Sequence, residues 1–498
     1  MADYVPDGPI NPTGWSKKKA SWIWGSLLTF TVVAQCIVPA IFIYVWCLAI
    51  LVWVTFRTIF FLVKKDPTSP STTLQNDTQA KLVEAGLGSS AVAPAPTERL
   101  LYLDNLKVFM TFIVIVHHQT CSLVGSGWYF NVGNYLNTFG VFGSSLLLLN
   151  QAYFMCMFFF ISGYFTPSSF AKKGKYQFLK DKFIRLGIPY IIFSFGLSLL
   201  LGAEYTGAGF ANTDGGVTLT PNPGPLWFVG WLLVFNSVYA SIDHTTEPSA
   251  YKFPVPFTAC NMLKWISGSI GISAFQLVLI VLTGGTFAFM PVTIGSLPYD
   301  CLAFYGGCVA KRNNLLQEGE GGLPYLMSQN RTKVYTMYIL CVVYTMCAPQ
   351  VYFNTVDGAT TDGYQSTAVG LFGIIVVSGM VTVLSFPVML DLFKTRFNFT
   401  GKWCKILAGS AYSAYIIHPF FVVSMTGAFL NIYNAYNEDN KIEFISHGAH
   451  NTTTSDTVLT NDQAWLWTGW IITSVVASVA AFFFAYWIRE FPGAKKVL

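Results

Sequence analysis

Apolar residues in this chain fall into long runs separated by short polar stretches. Residues 22–63 are almost wholly apolar, with Arg57 their only charge. After a polar gap, ten further runs follow at 102–124, 145–165, 184–203, 226–242, 264–284, 291–310, 334–353, 366–390, 406–431 and 465–488. Each is about twenty residues long, the length an α-helix needs to cross a bilayer's hydrocarbon core. The pattern predicts an all-α, polytopic transmembrane helical protein, with a ten-helix core preceded by an N-terminal hydrophobic hairpin. Pro39 divides the first run, and both of its flanks are basic (Lys17 to Lys19, then Lys64-Lys65). Two basic flanks favour a pair of helices with both ends cytosolic; a single long tilted helix is the alternative. The run is too long for a cleaved signal peptide, so it is expected to remain as an anchor.

The chain therefore divides into a cytosolic tail (1–21), the hairpin (22–63), a linker rich in Pro, Ser, Thr and Ala (64–99), the membrane domain (100–490) and a second cytosolic tail (491–498). Composition agrees: 53% of residues are hydrophobic and 11% charged, against about 25% charged in soluble domains. The net charge of +5 gives no reason to expect nucleic acid as a partner, because Lys and Arg sit in short loops between runs. The ten Cys lie within or at the ends of apolar runs without C-x-x-C spacing, so neither a metal site nor a disulfide framework is expected.

Loop charge orients the spans. One set of loops holds Lys172, Lys173, Lys175, Lys180 and Lys182, then Lys311, Arg312, Arg331 and Lys333, then Lys394, Arg396, Lys402 and Lys405. The opposite set is acidic, with Glu204, Asp214, Asp357, Asp362, Glu438, Asp439, Glu443, Asp456 and Asp462 against a single Lys441. Positive residues stay on the cytosolic side, which puts both termini there. The membrane itself is expected to be that of the secretory pathway or the cell surface.

Ionisable groups inside the runs are the candidate chemistry, because they are costly in a bilayer. The first span of the ten holds Asp104, Lys107, His117 and His118. At about 100° per residue, the eleven steps from Lys107 to His118 return to within roughly 20° of the same face, Asp104 lies one turn below Lys107, and His117 points about 80° away. Asp104 and Lys107 are either functional or anchors near the cytosolic surface. His118 lies about 24 Å along the helix, too deep to reach that surface, and is expected to transfer protons or to pack between helices. His418 sits about 18 Å along the ninth span, at a similar depth, with Pro419 directly after it. It either shares a cavity with His118 or stabilises a kink. Asp300, the one carboxylate in the sixth span, is a weaker candidate that needs a partner. Trp227 is better explained as an interfacial belt residue. Lys180, Lys182 and Arg185 enter the third span together, and such a cluster suits a phosphate-bearing ligand.

These elements, in this order, resemble the acyltransferase-3 family of membrane acyltransferases. The resemblance runs from about residue 100 to 490. It rests on Leu103-Asp104-Asn105-Leu106-Lys107 with His118 eleven residues on, Phe159-Phe160-Ile161-Ser162-Gly163-Tyr164, and Lys182-Phe183-Ile184-Arg185-Leu186-Gly187-Ile188-Pro189. Leu226-Trp227-Phe228, Phe304-Tyr305-Gly306-Gly307 and Tyr415-Ile416-Ile417-His418-Pro419 complete it. The Asp104-Asn105-Leu106 opening and the double His look most like the branch that includes glucan-modifying enzymes. The family usually carries Arg where this chain has Lys107; Arg offers a bidentate fork and Lys a point charge.

The resemblance implies transfer of an acyl group, such as acetyl, from a cytosolic acyl-CoA to a hydroxyl of a carbohydrate or lipid acceptor across the membrane. No bound cofactor is implied, since acyl-CoA is a co-substrate. His118 is then the expected general base, and Lys107, Lys182 and Arg185, with Lys180 beside them, hold phosphates or developing charge. Ser162 and Tyr164 shape the donor channel, and His418, with His117, Asp300 and Trp227, serves acceptor binding or proton relay. A proton-coupled transporter or flippase explains the buried His and Asp equally well, but not the basic cluster at one mouth.

The topology is testable at the N-x-[ST] sequons. Asn451 in the longest outer loop should accept a glycan, and Asn76, Asn330 and Asn398 should not. Glycan mapping that finds sugar on Asn330 or Asn398 overturns the orientation.

Overall fold

A computed structural model of the chain describes residues 100–124, 138–194, 209–213, 216–220, 223–242, 251–283, 297–356, 363–437, 463–490 and 494–497. The expected hairpin at 22–63, the tail and linker flanking it, and the sequons at Asn76 and Asn451 lie outside the described residues. In chain order the elements are α1 (Leu101–Leu123), α2 (Thr138–Lys182), a π-helical turn (Phe183–Gly187) and α3 (Ile188–Ile192). Strands β1 (Gly209–Thr213) and β2 (Gly216–Thr220) precede a 3-10 turn (Gly224–Leu226) that leads into α4 (Trp227–Ser241). Then come α5 (Ala259–Thr283), α6 (Leu297–Arg312), α7 (Leu323–Val356), α8 (Gly363–Arg396), α9 (Lys402–Tyr436), α10 (Gln463–Ile488) and α11 (Ala494–Val497).

Each of the ten expected spans coincides with helix as far as the described residues go, which leave out part of the third (184–203) and of the sixth (291–310). Among the described residues, five stretches are long and apolar enough to cross a membrane: α1, α2 with its continuation to Ile192, Val376–Arg396 of α8, α9 and α10. The all-α architecture stands, with one antiparallel ribbon added, in which Gly209 faces Thr220 and Thr213 faces Gly216. The basic stretch at 172–182, expected as a loop, is helical instead. Its Lys, Gln and Leu residues are good helix formers, so α2 continues past the apolar run. Gly174, at φ 70°, interrupts it with a backbone conformation that suits glycine.

α10 shows how the bundle meets lipid. Gly469, Thr473, Ala477, Ala481 and Ala485, four residues apart, are all buried. Val475, Val479, Phe483 and Trp487, on the opposite side, are 52%, 65%, 64% and 56% exposed. Small residues inside and large apolar ones outside reverse the order of a soluble helix. Lipid is as apolar as Leu, so close backbone approach and dispersion drive helix association. The buried alanines pack with Ala414 and Val422 of α9 and Ile115 of α1.

Helix α1 is the central post of the bundle, with Leu103, Leu106, Met110 and Ile115 fully buried. Polar side chains pin it at both ends. Asn105 Nδ2 donates to the carbonyls of Phe397 and Phe399 in the α8–α9 loop, at 2.7 and 2.9 Å. Near the other end, Gln119 Nε2 donates to Thr426 Oγ1 of α9 at 2.8 Å and Trp470 Nε1 of α10 to Thr120 Oγ1 at 2.9 Å. Arg331 at the start of α7 meets Asp391 near the end of α8 at 2.8 Å, and Lys394 meets Glu318. The Lys- and Arg-bearing helix ends thus share one end of the bundle. Asn330 is buried there and donates to the Leu326 carbonyl at 3.1 Å, so packing closes that sequon.

Helices α2 and α6 cross with their backbones in close approach. A Cβ on Gly163 would lie 2.0 Å from the Phe304 carbonyl oxygen, and one on Gly307 would lie 2.1 Å from that of Phe160. Gly306 has nothing within 4 Å of such a carbon. Two motifs far apart in sequence are therefore the two halves of one interlock. Gly163→Ala and Gly307→Ala should each force the helices apart and cost about 1–3 kcal/mol, whereas Gly306→Ala should stay within about 0.5 kcal/mol. Thermal unfolding of the purified protein in lipid checks this; equal effects at Gly306 and Gly307 would refute the interlock.

Candidate active site

Helical phase on α1 separates the two adjacent histidines. His117 packs on Phe154 of α2, with ring centroids 4.9 Å apart, while His118 turns toward α9. There its Nδ1 lies 2.8 Å from His418 Nε2, and the rings stack at 4.9 Å with 16° between their planes. His418 Nδ1 lies 2.6 Å from the Tyr415 carbonyl oxygen, one turn back on α9. His117 and His418 are buried and His118 is half-buried, with His117 edge-on to His118 at 5.4 Å.

The acceptor at one end of this chain fixes its proton order. A carbonyl only accepts, so His418 Nδ1 carries the hydrogen. A charge at this depth is costly, so both rings are neutral and His418 Nε2 is a lone pair. His118 Nδ1–H is then the donor across the 2.8 Å contact, and His118 Nε2 is its proton-accepting nitrogen. The geometry sets the tautomer in the way second groups orient a base in hydrolytic triads.

Tyr415 connects this pair to a further motif. Its hydroxyl donates to the Pro225 carbonyl at the entrance to Leu226-Trp227-Phe228. Its ring and that of Phe159 both pack on Phe228, at 5.8 and 4.6 Å. Trp227 is half-buried against Phe159 at 6.5 Å. Tyr412, three residues before Tyr415, donates its hydroxyl to the Arg185 carbonyl at 2.6 Å. Arg185 lies in the π-helical turn, where the backbone departs from the i to i+4 pattern. Tyr412, Tyr415 and His418 thus line one side of α9 at intervals of three, a spacing legible in the sequence but not assigned a role there.

At the basic end, Lys107 and Asp104 form an ion pair of 2.7 Å, with the Lys107 ammonium also 5.6 Å from the Phe165 ring. Lys182 lies over the Phe178 ring at 5.3 Å, while Lys180 and Arg185 are exposed. Ser162 is half-buried and its carbonyl accepts from Thr166 Oγ1 at 2.9 Å. Tyr164 is buried, with Lys311 over its ring at 5.3 Å. Asp300 is buried and accepts from the Cys156 thiol of α2 at 3.4 Å, a second tie across the α2–α6 crossing. The structure therefore joins His118 to His418, Asp104 to Lys107, and Asp300 to a partner the sequence did not suggest. Among the described residues no group of His, Cys, Asp and Glu is arranged to hold a metal ion.

An acyltransferase-domain family model matches residues 100–490. The chain belongs to the acyltransferase-3 family and is a membrane acyltransferase. No curated protein and no solved structure matches it.

The tautomers can be read directly. ¹⁵N NMR of histidine-labelled protein in lipid should show His118 and His418 as neutral rings protonated at Nδ1, with His418→Gln perturbing the His118 resonances. A His118 ring protonated at Nε2 would contradict the proton order.

Proposed function

We propose that this acyltransferase moves an acetyl or similar acyl group from a cytosolic acyl-CoA to a hydroxyl of a carbohydrate or lipid on the far side of the membrane. The observation that carries the proposal is the His118–His418–Tyr415 chain deep in the bundle. It leaves a neutral imidazole with a defined proton-accepting nitrogen, the requirement for a general base near pH 7.

In this mechanism His118 Nε2 takes the proton of the acceptor hydroxyl as its oxygen attacks the thioester carbonyl carbon. The new C–O bond forms, the C–S bond breaks, and CoA departs as a thiolate that the imidazolium or solvent reprotonates. His418 holds the His118 ring and stabilises the charge that develops on it, through the shared hydrogen bond. His117, beside both, is a further relay candidate.

Donor binding falls to the basic end. Lys182, Arg185 and Lys180 face the phosphates, and Ser162 and Tyr164 shape the path along α2 toward His118. Lys107, held by Asp104, stands at that entrance. Charge-assisted contacts to phosphate oxygens are stronger than neutral ones. Acyl-CoA is a co-substrate and no resident cofactor is needed. Trp227 and Asp300 fit the acceptor side. Both termini then lie in the cytosol, with the protein in a secretory-pathway or cell-surface membrane.

Purified protein in lipid, given labelled acetyl-CoA and a carbohydrate or lipid acceptor pool, should release CoA and transfer label. His118→Ala should lower that rate by roughly 10²–10⁴-fold, the usual contribution of a general base. His418→Leu should lower kcat less, with the KM for acetyl-CoA little changed. Equal CoA release by wild type and His118→Ala would sink the mechanism, and acceptor movement without CoA release would favour transport.

A further inference from the structure

The basic end of the bundle sorts its charges. Asp104 takes Lys107, Asp181 takes Lys173, Asp391 takes Arg331 and Glu318 takes Lys394. Among the described residues, Lys311 at the end of α6 has no carboxylate partner. It is half-buried, with its ammonium over the ring of Tyr164, the residue that follows Gly163 in the α2–α6 interlock. Phe165, next along, stands edge-on to Tyr164 at 5.5 Å and faces Lys107. One turn before Lys311, the Cys308 thiol donates to the Gly163 carbonyl at 3.3 Å. Lys182 lies within electrostatic range of that thiol and, among the described residues, also lacks a carboxylate partner. An aromatic face attracts an ammonium but does not neutralise it. Two half-buried cations left without counter-charge favour an anion between them.

We propose that Lys311, with Lys182, forms an anion site at the α2–α6 seam that takes a phosphate group of the acyl donor. The inference rests on the donor assignment above and adds a residue to it. Lys107 is poorly placed for the role, because Asp104, 2.7 Å away, already balances its charge and repels phosphate. Lys311 has no such competitor. The glycine interlock fixes its position: Gly163 and Gly307 bring the backbones together, and Lys311, four residues after Gly307, is set over Tyr164. The positive charge that Asp104 balances at Lys107 is supplied unbalanced from another helix.

The test uses two donors that share a thioester and differ in phosphate. Equilibrium binding of acetyl-CoA and of S-acetylpantetheine, which carries no phosphate, is measured on the full chain in lipid for wild type, Lys311→Met and Lys311→Arg. Wild type should prefer acetyl-CoA. Lys311→Met should weaken acetyl-CoA by about tenfold or more, the scale of one charged hydrogen bond, and leave S-acetylpantetheine unchanged. Lys311→Arg, which keeps the charge, should retain the preference. Unchanged acetyl-CoA binding in Lys311→Met, or equal weakening of both donors with no recovery in Lys311→Arg, overturns the site while the donor assignment stands. A wild type that binds both donors equally removes the donor assignment and the site together.

Discussion

A polar side chain within the hydrocarbon core has no water to turn to, so it must find its partner in the protein. The contact between His118 of α1 and His418 of α9 is where that constraint acts most strongly. Two imidazoles satisfy each other at 2.8 Å, and the Tyr415 carbonyl ends the chain. Because a carbonyl can only accept, one backbone oxygen determines the protonation of both rings. The same residue, Tyr415, reaches through its hydroxyl to the backbone at Pro225. Helix α9 therefore organises the interior by hydrogen bonds, while the large apolar residues of α10 face lipid.

The α2–α6 crossing works by a different force. No large side chain separates these helices; Gly163 and Gly307 let the backbones meet, and the Cys156 and Cys308 thiols hydrogen-bond across. Close approach maximises dispersion where hydrophobic burial contributes little. It also has a consequence at the basic end, where the two helices carry their Lys and Arg residues side by side. Asp104, Asp181 and Glu318 are matched to Lys107, Lys173 and Lys394, and among the described residues neither Lys311 nor Lys182 has a carboxylate partner, so the seam keeps positive charge. In the mechanism we propose, that imbalance links a packing motif to a phosphate-bearing donor.

Much of this was legible from residue order. Runs of about twenty apolar residues marked the spans, the bias of Lys and Arg marked one end, and rotation about a helix separated His118 from His117. The motifs were legible as words without their grammar. Ser162-Gly163 and Gly306-Gly307 stood out only as pieces of a resemblance, and only the fold shows that Gly163 and Gly307 interlock while Gly306 faces open space. The basic stretch at 172–182 looked like a loop because its charges ended the apolar run. Charge ends a membrane span, but it does not end a helix.

What the sequence determined by itself was a membrane-embedded, all-helical bundle with one basic end and two histidines at matching depths. Those properties follow from local composition and periodicity, which the bilayer imposes along each segment separately. What only the tertiary structure decided was pairing. That His118 meets His418 across 300 residues of chain, that Cys156 contacts Asp300, and that Lys311 is left without a carboxylate among the described residues are facts of helix arrangement. Periodicity tells which face a side chain occupies. Which neighbour that face meets depends on the close packing of all the helices at once, and no single stretch of sequence contains it.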